Sequence, residues 1–207
     1  MEPPASLLLV HGAGSGPWVY DDWLSSFPSL VIDAVDLQQG LDVEQASMSD
    51  YAARVVARAG SLPSPVALCG WSMGGLVVLQ ASQSLDAQSI VLLESSPPGE
   101  VQGFDPTVPL ITGVFDPEAE YGRFPDGVAA RPESLLARSE RKRGISVPSL
   151  PCRSLVVAGA AFPHERGRAL ADFYGSQLVE LPLLSHFDLV LDGAPRRAVA
   201  HFLGVEV

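Results

Sequence analysis

The hexapeptide Gly70-Trp71-Ser72-Met73-Gly74-Gly75 has the residue types and spacing that most directly suggest chemistry. It follows the apolar run Val66-Ala67-Leu68-Cys69 and precedes Leu76-Val77-Val78-Leu79-Gln80, so a G-x-S-x-G lies between a strand pattern and a helix pattern. Such a turn lifts one hydroxyl clear of the backbone. The glycines two positions to either side keep bulky side chains from striking the adjoining strand or helix. The helix N-terminus that follows adds partial positive charge beside the reacting centre. Ser72 is the candidate nucleophile, and it needs a base.

The candidates are His11, His164, His186 and His201. The base must reach the same sheet edge as Ser72 from a loop that follows a strand. His186 does so, because Leu181-Pro182-Leu183-Leu184-Ser185-His186 follows the last apolar run and precedes the last helix pattern. His201 falls inside that helix, and His11 belongs to a glycine-rich turn that it braces. His164, after the fifth strand, is the rival. A Ser-first, His-last order is one of the arrangements in which a serine and histidine cooperate in acyl transfer.

A second loop completes the chemistry. His11-Gly12-Ala13-Gly14-Ser15-Gly16 follows the first apolar run, and its small residues let backbone N–H groups approach a negative oxygen. A phosphate cradle would need G-x-G-x-x-G or the Lys and Ser/Thr of a P-loop, and neither is present. Paired with the Met73 N–H, this loop makes an oxyanion hole.

These residues require a particular scaffold. Short apolar runs at Ser6–Val10, Leu30–Val35, Val66–Gly70, Ser89–Glu94, Ser154–Ala158 and Gln177–Leu181 read as strands. Helix patterns lie between them near Trp18–Ser26, Met48–Ala59, Met73–Ser84, Glu165–Tyr174 and Ala194–Phe202. Near-continuous Val, Leu and Ile in alternation with helices predict a parallel sheet covered on both faces. The stretch Ser95–Pro151 interrupts the alternation, with only Pro132–Arg143 helical in pattern. Its Phe104, Val108, Leu110, Ile111, Val114, Phe115, Tyr121 and Phe124 are too apolar for a solvated linker, so residues 95–151 are expected to form a cap within one domain, 1–207. Trp18, Trp71 and Met73 are expected to line the substrate pocket.

Composition narrows the partners. The net charge is −11, from 24 acidic and 13 basic residues, which disfavours nucleic acid and anionic membranes. No apolar run approaches the ~18 residues of a span. The start Met-Glu-Pro-Pro-Ala-Ser lacks a signal peptide's basic and apolar regions, so a cytoplasmic location is expected. Cys69 and Cys152 are far apart and without zinc-ligand spacing, and Cys69 reads as a buried, reduced thiol. No metal or organic cofactor is implied.

Taken together, the His11-Gly12-Ala13-Gly14 turn, the Gly70–Gly75 turn and Ser185-His186-Phe187 make the chain resemble the α/β-hydrolase family. The resemblance covers nearly the whole chain. It implies a Ser–acid–His hydrolase of a small ester-like substrate, with an oxyanion hole from the Ala13 and Met73 amides. It departs from the family in two places. Only ten residues precede His11, where most members have two further strands, so a trimmed six-stranded sheet is expected. The acid usually follows a glycine at the end of the penultimate strand, and here Gly159-Ala160-Ala161-Phe162 puts phenylalanine there. Glu94 is the first choice for the acid. It follows four aliphatics directly, where a charge without a partner is costly, and it resembles lipases whose acid follows the nucleophile's neighbouring strand. Glu165 and Asp188 rank behind it, since each also suits a helix start or cap. The alternatives are a lyase or acyltransferase using the same serine, and a non-catalytic binding protein, which the acid missing beyond Gly159 would favour.

Overall fold

The computed structural model describes residues 2–207. In chain order the strands are β1 (Ser6–Val10), β2 (Val31–Val35), β3 (Val66–Trp71), β4 (Ser89–Leu93), β5 (Val114–Phe115), β6 (Glu133–Ser134), β7 (Arg153–Ala158) and β8 (Gln177–Glu180). Six of them form one parallel sheet in the order β2-β1-β3-β4-β7-β8, and β5 and β6 form a separate antiparallel pair. Successive side chains of a strand point to opposite faces, and here both faces are apolar. Leu8, Val10, Leu68, Ile90, Leu92 and Val156 pack on one side, and Leu7, Leu9, Cys69, Val91, Leu93 and Val157 on the other.

The first face is covered by α1 (Met48–Ala59) and α2 (Met73–Ala81), with Leu170 and Ala171 from a later helix. Ser47 starts α1 with a capping box, its hydroxyl accepting from Asp50 N–H while the Asp50 carboxylate accepts from Ser47 N–H. The second face is covered by Tyr20, Trp23 and Phe27 and by the C-terminal helix Gly193–Leu203. The helix expected at Trp18–Ser26 is a single 3₁₀ turn, Pro17–Tyr20, followed by turns. Its i→i+3 bonds, such as Trp23 N–H to Tyr20 O and Ser26 N–H to Trp23 O, drop the three aromatics onto the sheet. The run Glu165–Tyr174 likewise splits into a π-turn, His164–Arg168, and a helix, Ala169–Tyr174.

Within residues 95–151 the helix is Leu135–Arg143, shorter than the pattern suggested, joined by short helices at Gly99–Gln102 and Pro117–Tyr121. Phe104, Leu110, Ile111, Val114 and Tyr121 are exposed, and Phe124 is buried. Arg131 and Glu133 of this segment bond to Gly14 and Ser15 in the loop after β1.

The neighbours of β1 are β2 and β3, so the chain leaves β1 in one direction and later returns on its other side. In open parallel sheets, ligands bind beyond the carboxyl ends of the strands at such a reversal. The loops after β1, β3, β4 and β8 meet there. Among the described residues no helix is long and apolar enough to cross a membrane, and no three His, Cys, Asp or Glu side chains are grouped to hold a metal ion.

Candidate active site

Ser72 leaves β3 with φ 56° and ψ −122°, a left-handed conformation rare for a residue with a side chain. The turn is held from three directions. Ser72 N–H donates to Leu93 O at 3.0 Å, and Ser72 O accepts from Gly75 N–H at 3.1 Å and Ser96 N–H at 2.8 Å. No space remains for side chains around it. A Cβ on Gly70 would lie 2.4 Å from Gly74 O, and one on Gly74 would lie 2.2 Å from Val10 O. Ser72 occupies the cap position of α2, but its hydroxyl makes no capping bond and is left free for chemistry.

The first neighbour of this turn is the loop after β1. A Cβ on Gly12 would lie 3.0 Å from Ser72 Cβ, so glycine is what lets the two loops close on each other. Ala13 lines the cavity beside Ser72, and Met73 starts α2 just behind it. Neither amide has a hydrogen-bond partner among the described residues. Two unengaged N–H groups beside a strained serine are the elements of an oxyanion site.

His186 and Glu94 meet. Glu94 directly follows β4 with φ 42° and is wholly buried, and its Oε2 lies 2.5 Å from His186 Nδ1. Its Oε1 accepts from Gly159 N–H at 3.0 Å and Phe162 N–H at 3.1 Å. Burial alone would raise the Glu94 pKa. The His186 bond and charge outweigh this, with help from the two backbone donors, and hold the carboxyl below its usual range. A carboxylate on Nδ1 fixes the proton there and leaves Nε2 free to accept. The loop beyond Gly159 therefore contributes backbone donors to the carboxylate.

The rival acids are elsewhere. Glu165 is exposed on the π-turn, and Asp188 accepts from Ser185 N–H at 2.8 Å, a local turn that shapes the His186 loop. His164 and His201 are exposed. His11 is buried; its Nδ1 lies 2.8 Å from Gly12 O, and its Nε2 accepts from Leu37 N–H at 3.1 Å. Burial pushes its pKa down to about 4, so it is a neutral brace for the loop.

Trp71 lines the cavity, donates from Nε1 to His186 O at 2.9 Å, and packs its ring 4.9 Å from the imidazole. It holds the histidine as well as the wall. Trp18 does not line the cavity. Its Nε1 donates to Ala129 O at 3.1 Å and its ring lies under Arg131, so the structure leaves it out of the pocket expected for it. The cavity measures about 480 Å³, and Tyr121, Phe124, Phe162 and Phe187 supply its aromatic lining.

The family model described as alpha/beta hydrolase family matches residues 7–202. The chain belongs to this family. A curated relative, a pimeloyl-[acyl-carrier protein] methyl ester esterase from Neisseria meningitidis serogroup A, is 38% identical over 72 residues. That match spans 34% of this chain and 23% of the relative's length. Among solved structures, polyneuridine aldehyde esterase superposes with a TM-score of 0.64 at 16% identity, covering 98% of each chain. The RedJ thioesterase of the prodiginine pathway in Streptomyces coelicolor gives 0.65 at 17% identity, covering 97% of this chain and 89% of its own.

In this alpha/beta hydrolase, sequence reasoning missed the polar clamp on the loop after β1. Arg131 N–H donates to Gly14 O at 2.9 Å and its Nε to Ser15 O at 2.8 Å, while its guanidinium pairs with Asp36 at 2.6 Å. Buried Glu133 accepts from Gly14 N–H at 2.9 Å, and its other oxygen accepts from Tyr51 Oη at 2.5 Å. In sequence, an acid near the start of the Pro132–Arg143 pattern suits a helix N-terminus, a role that needs no tertiary partner. No local signal distinguishes the two roles, because the partners lie 82 and 119 residues away.

Proposed function

We propose that this chain is a serine hydrolase that cleaves a small ester-like substrate through an acyl-enzyme. Ser72 attacks the carbonyl carbon while its proton passes to Nε2 of His186. The Glu94 carboxylate stabilises the resulting imidazolium, and the amides of Ala13 and Met73 hold the oxyanion. His186 then gives the proton to the departing alcohol. Water, deprotonated by the same ring, releases the acid and restores Ser72. The observation that supports this best is the buried Glu94 carboxylate 2.5 Å from Nδ1 of His186, a histidine that lines one cavity with a strained, uncapped Ser72.

The activities of the relatives point the same way. One relative is a methyl ester esterase, and the two solved structures are an esterase and a thioesterase. A scaffold without catalysis drew its support from the acid missing after Gly159. Glu94 supplies that carboxylate, which favours the enzyme. We further assign residues 95–151 to a cap over Ser72, on the strength of Tyr121, Arg123, Phe124 and Arg141 in the cavity wall. Two free thiols suit a reducing compartment, and we place the protein in the cytoplasm.

The test is labelling with a fluorophosphonate probe alongside hydrolysis of 4-nitrophenyl butyrate. Both should require Ser72. Ser72→Ala should lower kcat by about 10⁶, as loss of a triad serine does, without lowering Tm. Wild-type turnover in this variant would end the hypothesis.

A further inference from the structure

The cavity that contains Ser72 and His186 is lined by Arg123, Arg141 and Arg166 and, among the described residues, by no carboxylate. This is a local excess of positive charge in a chain of net charge −11. Ion pairing accounts for Arg123, whose guanidinium reaches Asp126 at 2.9 Å. The nearby Arg138 pairs with Glu120. Among the described residues Arg141 and Arg166 have no Asp or Glu within ion-pair distance.

Their surroundings make this costly. Arg141 has one long side-chain bond, 3.4 Å to Tyr121 Oη, and its Nε is buried without a partner. Arg166 stacks over the Phe162 ring at 4.0 Å, and that ring meets the His186 imidazole edge-on at 5.8 Å. Burial and then the Arg141 charge lower the Arg166 pKa, and the charges of Glu94 and Glu165 only partly oppose them. Both residues also line an adjoining cleft with Lys142 and with Arg138 and Glu120, which pair with each other. A guanidinium stacked on an aromatic keeps its N–H edge free, the geometry that receives carboxylate or phosphate oxygens.

We infer that Arg141 and Arg166 form an anion subsite in the wall of the catalytic cavity, and that the preferred ester carries a carboxylate or phosphate group. The subsite rests on the hydrolase reading for its substrate, but its anion binding can be measured without turnover. Phe162 links the two functions: its backbone N–H orients Glu94, and its ring contacts both Arg166 and the His186 imidazole.

Calorimetric titration with glutaramate, which has one carboxylate, and with uncharged glutaramide isolates the charge. Butyl phosphate against butanol does the same for phosphate, and shows which anion the subsite takes. At least one anion should bind tenfold or more tightly than its neutral counterpart, and should inhibit 4-nitrophenyl butyrate hydrolysis competitively. Arg141→Gln and Arg166→Gln should each weaken anion binding about tenfold. Arg166→Lys should restore part of it, and added salt should weaken the wild type. Equal binding of anions and neutral analogues would overturn the subsite, as would wild-type affinity in both Gln variants. Anion binding in an enzyme that hydrolyses no ester would refute the hydrolase reading alone. Ester hydrolysis without anion binding would refute the subsite alone.

Discussion

Replacing Glu94 by Gln changes one oxygen to an amide nitrogen, and the surroundings dictate which one. Oε1 accepts from Gly159 N–H and Phe162 N–H, so a Gln side chain must put its carbonyl there. The reverse orientation would set an NH₂ against two donors and leave both buried amides without an acceptor, at about 1–3 kcal/mol each. The NH₂ is thereby directed at His186 Nδ1. That nitrogen must become the acceptor, and the ring proton moves to Nε2, where it cannot take the proton of Ser72. In Ser–His–acid triads this wrong tautomer lowers kcat by about 10⁴, or about 5 kcal/mol of barrier. The fold should persist, since the two backbone bonds are kept and a buried charge is removed. The assay is kcat and KM for 4-nitrophenyl butyrate together with the rate of fluorophosphonate labelling. Both rates should fall together while KM and Tm stay near wild type. A Glu94→Gln enzyme within tenfold of wild-type kcat would refute the reasoning, because a carboxylate that holds no tautomer is not the triad's acid.

Gly74→Ala should destabilise the protein. Its Cβ would press on Val10 O and His11 O, backbone that cannot yield, so a cost of about 2–3 kcal/mol and a Tm loss of roughly 4–12 °C are expected by calorimetry. Glu133→Gln should lower kcat roughly tenfold with little change in KM, since Glu133 accepts from Gly14 N–H, Tyr51 Oη and Ser134 N–H, an amide cannot keep all three, and the Gly14 bond lies next to Ala13. His11 gives stability a pH dependence. Its folded pKa of about 4 lies below the ordinary 6.5, so between those values the unfolded chain binds the extra proton and stability falls as pH falls. The difference is about 3 kcal/mol across that window, and urea unfolding of wild type and His11→Gln should separate by it. Parallel curves for the two proteins would remove His11 as the cause.

The strands, the nucleophile turn and the Ser–His order were legible because each depends on neighbours in the chain. An all-apolar run such as Leu7-Leu8-Leu9-Val10 can only be buried on both sides, and Gly70 meets a steric demand set by Gly74 and Gly75 within its own turn, whereas the demand on Gly74 comes from β1. Glu94 was legible for a related reason: a charge directly after four aliphatics requires a partner. Which partner it met was decided by the parallel order of β4, β7 and β8, which brings His186 and the Gly159 loop to one edge from 92 and 65 residues away. The same holds for the clamp of Arg131 and Glu133 and for the unpaired Arg141 and Arg166. Their residue types suit a solvated surface, and only the tertiary structure decides whether a carboxylate lies within reach. Trp18 illustrates the converse. Its type suits a pocket wall, but one 3₁₀ turn in place of a helix sets its ring against Arg131 instead. Local sterics and burial are written in the sequence, whereas long-range electrostatic partnership follows from where the chain returns.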